Sequence, residues 1–358
     1  MIEVPGRSWG IEAWKPGDER AVLELFRAEF GRERSLAHWT WKFLENPYGG
    51  PFISLAWHRE RRQLVGNQVL MPIPLCVHGR RVLAGHSLDL VVHHDFRRQG
   101  VFEHTGRHAI ENLERHGGGA VVAFPNASSY PGFVRSLGWS RILEPTLWRL
   151  RLGVRHKLER RLGIAPVAAA LDAIYRLVNT RAALAGLVRG DAEREEGRVE
   201  HGDRLPDGVD DLWERERGRQ PFSLWKDREY LSWRYGRHPE QAFVYHGLLR
   251  NSRLEGLAIS ATIAGISHLC EFLVPDRDER VARRLLSAIC AEAAARRVDE
   301  VHFLAHDSGW FARVFGGFDS AVAGENVFVG RSLESEALTA EMANPANWSL
   351  TYGDGDFV

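Results

Sequence analysis

From His86 to Phe102 the chain concentrates groups able to hold an anion. An apolar stretch broken by Asp89 runs through Val91 and Val92 to His93. A short turn then carries Arg97, Arg98, Gln99 and Gly100, and Val101 and Phe102 open an amphipathic helix pattern. A strand–turn–helix of this kind aims successive backbone N–H groups outward and adds the positive end of the helix. Gly100 lets the backbone approach a phosphate with no side chain in the way. Arg97 and Arg98 supply charge-assisted bonds, each worth about 1.5–3 kcal/mol when shielded from water. Solvated arginines on an ordinary turn would read the same in isolation, so the neighbouring elements decide.

Those elements fall in a definite order. Hydrophobic periodicity predicts a strand near Gly10–Lys15, a helix over Asp18–Phe30 and a second helix to Leu44. Strands are predicted at Phe52–His58, Gln63–Cys76 and Arg81–His93, followed by a helix over Val101–His116 and a strand at Ala120–Phe124. A turn with Asn126, suited to cap a helix, leads to a helix at Tyr130–Leu137 and a last strand at Trp139–Leu150. The series then returns: strands at Ala242–Leu249, Leu254–Ala264 and Ile266–Val274, a helix over Glu279–Arg296, a strand at Glu300–Ala305, a helix at Trp310–Phe315 and a strand at Ala321–Gly330. Gly153–Arg189 reads as helical and Arg189–Pro206 as linker.

Matched residues support a duplication. Trp41 followed by Lys42 a short way before Pro47 is echoed by Trp233 followed by Arg234 before Pro239. Phe133, Leu137, Gly138 and Trp139 are echoed by Phe311, Phe315, Gly317 and Phe318. The copies lie about 180 to 190 residues apart, far beyond a solenoid period. In the second copy the turn has no glycine, and Asp276, Asp278 and Glu279 stand where the first has Arg97 to Gly100. These carboxylates suit a helix N-terminus but repel a phosphate.

The Arg97–Gly100–Phe102 spacing after an apolar strand resembles motif A of the GNAT acetyltransferases, with Phe102 where the family usually has a small residue. The resemblance implies an α/β fold of two tandem GNAT-like domains, each a mixed central sheet flanked by helices. It divides the chain into an N-terminal domain over residues 1–152, a helical connector at 153–197, a degenerate second domain at 198–333 and a tail at 334–358. It implies that Val91, Val92, His93, Arg97, Arg98, Gln99, Gly100, Val101, Phe102 and Asn126 bind acetyl-CoA or another acyl-CoA, the co-substrate. Backbone N–H groups near Val91–His93 then polarise the thioester. It further implies transfer to a primary amine of a small molecule, such as an amino sugar or aminoglycoside-like compound, or of a peptide.

An ammonium is no nucleophile, so a base is needed. Asp89 is the first candidate, since burial would raise its pKa toward a useful range; an aspartate bonded to nearby backbone is the competing reading. His86 and His93 stand in reserve. Family tyrosines often protonate the thiolate; Phe133 occupies the aligned position, which leaves Tyr130, with helix-start packing as its competing role. The alternatives from other classes are a non-catalytic CoA-binding scaffold and a transferase using an aminoacyl-tRNA donor.

Composition narrows the field. The 358 residues hold 47 basic and 47 acidic groups. This balance argues against nucleic-acid and anionic-membrane partners. Three cysteines without metal spacing suit a reducing compartment. With no signal-like or membrane-spanning apolar run, a cytoplasmic protein is expected. His104 and His108 are four apart on a helix but lack a third ligand, and His302 and His306 read as local polar contacts, so no metal is expected. Trp348, Tyr352, Asp354 and Asp356 mark an unusual C-terminal stretch that can pack back on the body or reach the acceptor side.

Overall fold

The computed structural model describes residues 1–180, 197–306, 309–324 and 327–356. In the first half, strands β1 (Ile2–Glu3), β2 (Trp9–Ala13), β3 (Phe52–His58), β4 (Leu64–Val77), β5 (Arg80–Val92), β6 (Ala120–Ala123), β7 (Ser140–Leu143) and β8 (Thr146–Arg151) are interleaved with helices α1 (Glu19–Phe30), α2 (Leu36–Phe43) and α3 (Val101–Arg115). Helices α4 (Arg155–Leu162) and α5 (Ala165–Tyr175) follow. The second half contains β9 (Arg198–Gly202), α6 (Val209–Glu216), β10 (Phe222–Leu224), α7 (Arg228–Leu231), β11 (Val244–Arg250), β12 (Arg253–Ile263), β13 (Ile266–Leu273), α8 (Glu279–Ala295), β14 (Glu300–His306) and α9 (Trp310–Val314). It ends with β15 (Asp319–Val322), β16 (Phe328–Ser332), α10 (Glu336–Met342) and β17 (Leu350–Thr351).

Local chemistry explains the boundaries that matter. Ser35 caps α2 by accepting the His38 N–H at 3.0 Å. Gly31, at φ 64°, ends α1 in the left-handed conformation. β4 is buried along its whole length, as expected for a central strand covered on both faces. Among the described residues no helix is long and apolar enough to cross a membrane.

The strands assemble into two mixed sheets, but not one per half. The first runs β1-β2-β3-β4-β5-β6-β16-β7, and the second runs β15-β8-β14-β13-β12-β11-β9. Each predicted last strand breaks in two and sends its second piece across. β8 pairs with β14, setting Leu150 opposite Val301, while β16 pairs with β6, setting Val329 opposite Ala123. The break after β7 falls at Pro145, which has no N–H to continue a ladder, and Ala323 donates its N–H to the Pro145 carbonyl at 3.0 Å where the chains cross. Boundaries drawn at residues 152 and 333 therefore cut across both sheets: β8 lies in the second and β16 in the first. Of the predicted linker, residues 189–196 lie outside the described residues. Arg198–Gly202 is instead a strand, paired along β11.

Packing makes the halves one body. Trp148 of β8 lies 6.0 Å from Phe303 in the second core, and Phe328 of β16 lies 4.8 Å from Phe124 in the first. At the centre, the Trp41 indole N–H donates to the Trp233 carbonyl at 2.9 Å. The Trp233 indole N–H returns the bond to the Trp41 carbonyl at 3.1 Å. This reciprocal pair is the local two-fold expected of a duplication.

Candidate functional site

The turn between β5 and α3 is built as an open cradle. Phe96 is buried and anchors it, while Arg98 at φ 60° and Gly100 at φ 87° bend the backbone through left-handed conformations. No side chain caps α3, so its first N–H groups stay available to a ligand. A Cβ on Gly100 would meet His104 at 3.2 Å on top of the φ cost. The Arg97 guanidinium binds Glu29 at 2.6 Å and the Val92 carbonyl at 3.3 Å, so it braces the turn. Burial would raise the Glu29 carboxyl, but hydrogen bonds from His94 and the Arg97 charge outweigh it and hold the group low. Gln99 binds the Asp95 carbonyl at 2.7 Å. Arg98 is exposed, without a side-chain partner among the described residues.

Phe102, a bulky residue two positions after Gly100, is accommodated from the other side. A Cβ on Gly132 would lie 2.6 Å from the Phe102 ring, which also meets Phe133 edge-on at 5.3 Å. The turn Gly132–Ser136 therefore packs on Phe102 only because Gly132 has no side chain. Val101 is buried beneath the turn.

A wedge opens beside this cradle. β5 and β6 pair in parallel from Ala84 opposite Ala120 to Ser87 opposite Ala123, and no further. Beyond that point β5 is hydrogen-bonded only to β4, with a bulge where Asp89 adopts φ 51°. A cavity of about 900 Å³ follows the turn, lined by Val91, Val92, Arg97, Arg98, Gly100, Phe102 and Asn126. It shares Leu90, Asn126 and Ser129 with a second cavity of about 450 Å³, lined by His86, Asp89, Phe124, Arg32, Arg34 and Asp356. Asn126 accepts the N–H groups of Ser128 and Ser129 at 3.0 Å each, fixing the wall between the two.

Not every predicted residue faces these cavities. The His93 N–H is committed to the Val65 carbonyl at 2.9 Å, and its ring accepts the Asp95 N–H at 3.3 Å and stacks on His94 at 4.3 Å. His93 therefore holds the turn together, and its N–H cannot polarise a thioester. Tyr130 packs with the cluster around Phe133, Leu137 and Trp139 and lines neither cavity. His104 binds the Gly100 carbonyl at 2.9 Å and His108 binds Ser54 at 2.6 Å, so the pair does not converge on a metal.

Asp89 sits in a ring of charge. Its carboxylate contacts Arg34 through one oxygen and Lys42 through the other, the latter at 3.4 Å. Lys42, only 1% exposed, also binds Asp356 at 2.6 Å. Despite burial, Lys42, Arg234 and Arg34 hold the Asp356 carboxyl far below the usual carboxylate range. Arg234 donates to the Gly355 carbonyl at 2.8 Å, fixing the tail from the second unit. Burial pushes His86 down to about 4, so it faces the cavity as a neutral imidazole. Arg34, Lys42 and Arg234 were not assigned to the site from sequence, although Lys42 and Arg234 are the two basic residues that follow the repeated tryptophans; Asp356 belongs to the tail expected to pack back on the body or reach the acceptor side.

The corresponding wedge of the second unit is filled. β13 and β14 part after Leu269 and Phe303, and β17 takes the vacated edge, pairing Thr351 with Ala305 and Leu350 with His306. Glu271, fully buried, accepts from Lys226 at 2.5 Å, Tyr235 at 2.6 Å and Thr351 at 3.0 Å, and Lys226 also binds Asp354 at 2.8 Å. About 30 Å³ of cavity remains, beside Glu216, Arg219 and Trp310. The Asp278 carboxylate caps α8 by accepting the Arg280 and Val281 N–H groups at 2.9 and 3.2 Å, which takes the donors an anion would need.

Residues 11–142 match the family model of the GNAT acetyltransferase domain. No curated protein matches the chain in sequence. Among solved structures, the chain is similar to a GCN5-related N-acetyltransferase from Kribbella flavida (14% identity, TM-score 0.59, covering 94% of this chain and 74% of that one). It is also similar to the N-myristoyltransferase of Saccharomyces cerevisiae with bound myristoyl-CoA (13% identity, TM-score 0.61, 100% and 88% covered). A tandem GNAT protein from the clavulanic acid biosynthesis pathway matches at 15% identity and TM-score 0.54, with 92% and 99% covered. Residues 11–142 thus match the model of a GNAT acetyltransferase domain, and the chain as a whole has the fold of the tandem GNAT protein.

Proposed function

We propose, from the premise of a GNAT domain on a tandem GNAT fold, that this protein is an acyl-CoA-dependent N-acyltransferase. In the simplest case it moves acetyl from acetyl-CoA to a primary amine of a small molecule, an amino sugar or aminoglycoside-like compound, or of a peptide. One observation carries the reading: the open wedge between β5 and β6 leads directly to the uncapped N-terminus of α3.

In this reading the N–H groups from Gly100 onward and the exposed Arg98 guanidinium hold the pyrophosphate. The edge of β5 from Leu88 to Val92 takes the pantetheine arm as a strand partner, and N–H groups ahead of His93 polarise the thioester carbonyl. The amine enters through the cavity shared by His86, Asp89 and Asp356. Arg34 and Lys42 engage both Asp89 oxygens. With both oxygens engaged, Asp89 serves to orient the acceptor. His86, a neutral imidazole lining the same cavity, relays the proton to water as the amine nitrogen bonds to the thioester carbon. The carbon–sulfur bond then breaks, and the thiolate is protonated by solvent, Tyr130 being packed away from both cavities.

The test is calorimetric titration with acetyl-CoA, followed by longer acyl-CoAs, of wild type beside Gly100→Glu. Wild type is expected to bind one equivalent, and the carboxylate at the turn to weaken binding by about 100-fold or more. Equal affinity in the two proteins removes the turn from the site, and no binding of any acyl-CoA removes the enzyme reading. With an amine panel, His86→Ala should keep acyl-CoA affinity and lose about 10²-fold in turnover. Binding without turnover across the panel would leave a CoA-binding scaffold.

A further inference from the structure

The second sheet ends in an exposed strand, β9, paired with β11. His201 on β9 lies directly across from His246 on β11, and Glu292 of α8 reaches the same point, the three ligand atoms all lying within 4.8 Å of one another. None of these residues has metal-binding spacing in the sequence; only the strand register and the helix above it bring them together. We infer that His201, His246 and Glu292 form a binding site for a divalent transition metal, with zinc as the ion their donor set suits.

The geometry is that of ligands already aimed. The two imidazoles face each other Nδ1 to Nδ1 at 2.7 Å, so one must donate to the other. His246 is fully buried, and its Nε2 meets the Ser260 hydroxyl at 2.8 Å. Donation from Nε2 to Ser260 leaves the His246 Nδ1 lone pair pointing at His201, the outer hydrogen bond that fixes a ligating tautomer. His201 is exposed, so it can take its own proton on Nε2 and turn a lone pair inward without any proton leaving the site. Two histidine nitrogens and a carboxylate at about 2.0–2.2 Å each complete a tetrahedral zinc with one water. Reaching that spacing needs the imidazoles to part by on the order of half an ångström, and His201 on an edge strand has the room. Arg296 binds Glu292 at 2.5 Å and Coulombically opposes a cation, so it sets the affinity below that of an unopposed carboxylate.

The other three-ligand group among the described residues, Glu29 with His93 and His94, lacks this character. Both Glu29 oxygens are held, one by Arg97 at 2.6 Å and one by His94 at 2.8 Å, and His93 is stacked on His94. A metal at His201 would pin the start of the second unit to α8 and close an exposed sheet edge, stabilising the folded chain by mass action.

The full chain, freed of metal by chelation, is titrated calorimetrically with zinc chloride at pH 7.5 and melted with and without the ion. One site is expected, with a melting temperature raised by zinc and restored by chelator. His201→Ala, an exposed change that leaves the fold intact, should weaken zinc by about 100-fold, and Ser260→Ala by about tenfold through lost orientation. His94→Ala should leave the zinc affinity unchanged. Absence of zinc binding, undiminished binding in His201→Ala, or loss of binding in His94→Ala each overturns the assignment.

Discussion

In the first unit β5 leaves β6 after Ser87 and Ala123, and about 900 Å³ stands open along the turn. In the second, β13 leaves β14 after Leu269 and Phe303, and β17 occupies the space, leaving about 30 Å³. The helix that follows starts uncapped at Gly100 in one case and is capped by the Asp278 carboxylate in the other. A single architecture thus leaves an open groove in one copy, and in the other a socket for the chain's own C-terminal segment. The same tail carries Asp356 to Lys42 in the first unit. Filling the second groove and furnishing the first are therefore one structural act.

The ion pairs differ in how replaceable they are, and this gives the largest expected effect. Among the described residues, Lys226 is the one cation bonded to both Glu271 and Asp354. Burial raises the Asp354 carboxyl to about 6 against the pull of Lys226, as befits two carboxylates sharing one ammonium. Lys226→Met should cost about 3–5 kcal/mol in urea unfolding, because it strands buried charge. Lys42→Met, though its side chain is equally buried, should cost clearly less, since Arg34 still contacts both Asp89 and Asp356. Equal losses would mean that the tail is not held chiefly through the second unit.

A subtler contrast lies at the ends of the two helices that face these grooves. Glu29 of α1 is held low by its hydrogen bonds from His94 and the charge of Arg97. Glu216 of α6 has a buried oxygen without a hydrogen bond, 3.5 Å from Arg219, and burial pushes it up to about 7. A carboxyl with a raised folded pKa contributes its stability below the unfolded value, near 4.5, and loses it as pH climbs through 7. Glu216→Gln should match wild type near pH 4.5 and exceed it by on the order of 3 kcal/mol at pH 8. The corresponding Glu29→Gln should be less stable than wild type at pH 8. Parallel pH curves for Glu216→Gln and wild type would show that water or a cation reaches Glu216.

Much of this could be seen in the sequence because it depends on local pattern. The strand and helix order, the turn at Arg97–Gly100 and the acid-for-glycine change in the second copy are all short-range features, and most predicted elements fall within a few residues of their place, whereas β9 lies in a stretch read as linker. The strand exchange was hidden because β7 and β8 read as one strand over Trp139–Leu150. Pro145 marks the break, but only the register with β14 shows where the second piece goes. The charge ring was hidden for the same reason. Asp89, Lys42 and Asp356 are far apart in the chain, and the bulge that turns Asp89 toward them is a property of the β4–β5 pairing. Tyr130 and His93 had the right residue type and position, but packing and backbone pairing claimed them first.

The smallest expected effect tests why one groove stays open. In the turn and the facing helix the first unit sets Phe102 against Gly132; at the matching places of the repeat the second unit has Ala282 and Trp310. The bulk has moved from one partner to the other: Trp310 leans over the residual cavity and bonds the Arg277 carbonyl at 2.9 Å, whereas Gly132 leaves the wall low. Gly132→Ala places a carbon 2.6 Å from the Phe102 ring and should cost about 1–2 kcal/mol. Combined with Phe102→Ala, which makes the room, that cost should vanish, giving a favourable coupling of about 1 kcal/mol in a double-mutant cycle. Additive losses would mean that Phe102 and Gly132 are not matched and that the bulky residue is tolerated by loose packing. If they are coupled, the pair Phe102→Ala with Gly132→Trp, which transplants the second unit's arrangement, should keep the fold and close the groove, lowering acetyl-CoA affinity while leaving urea stability near that of wild type.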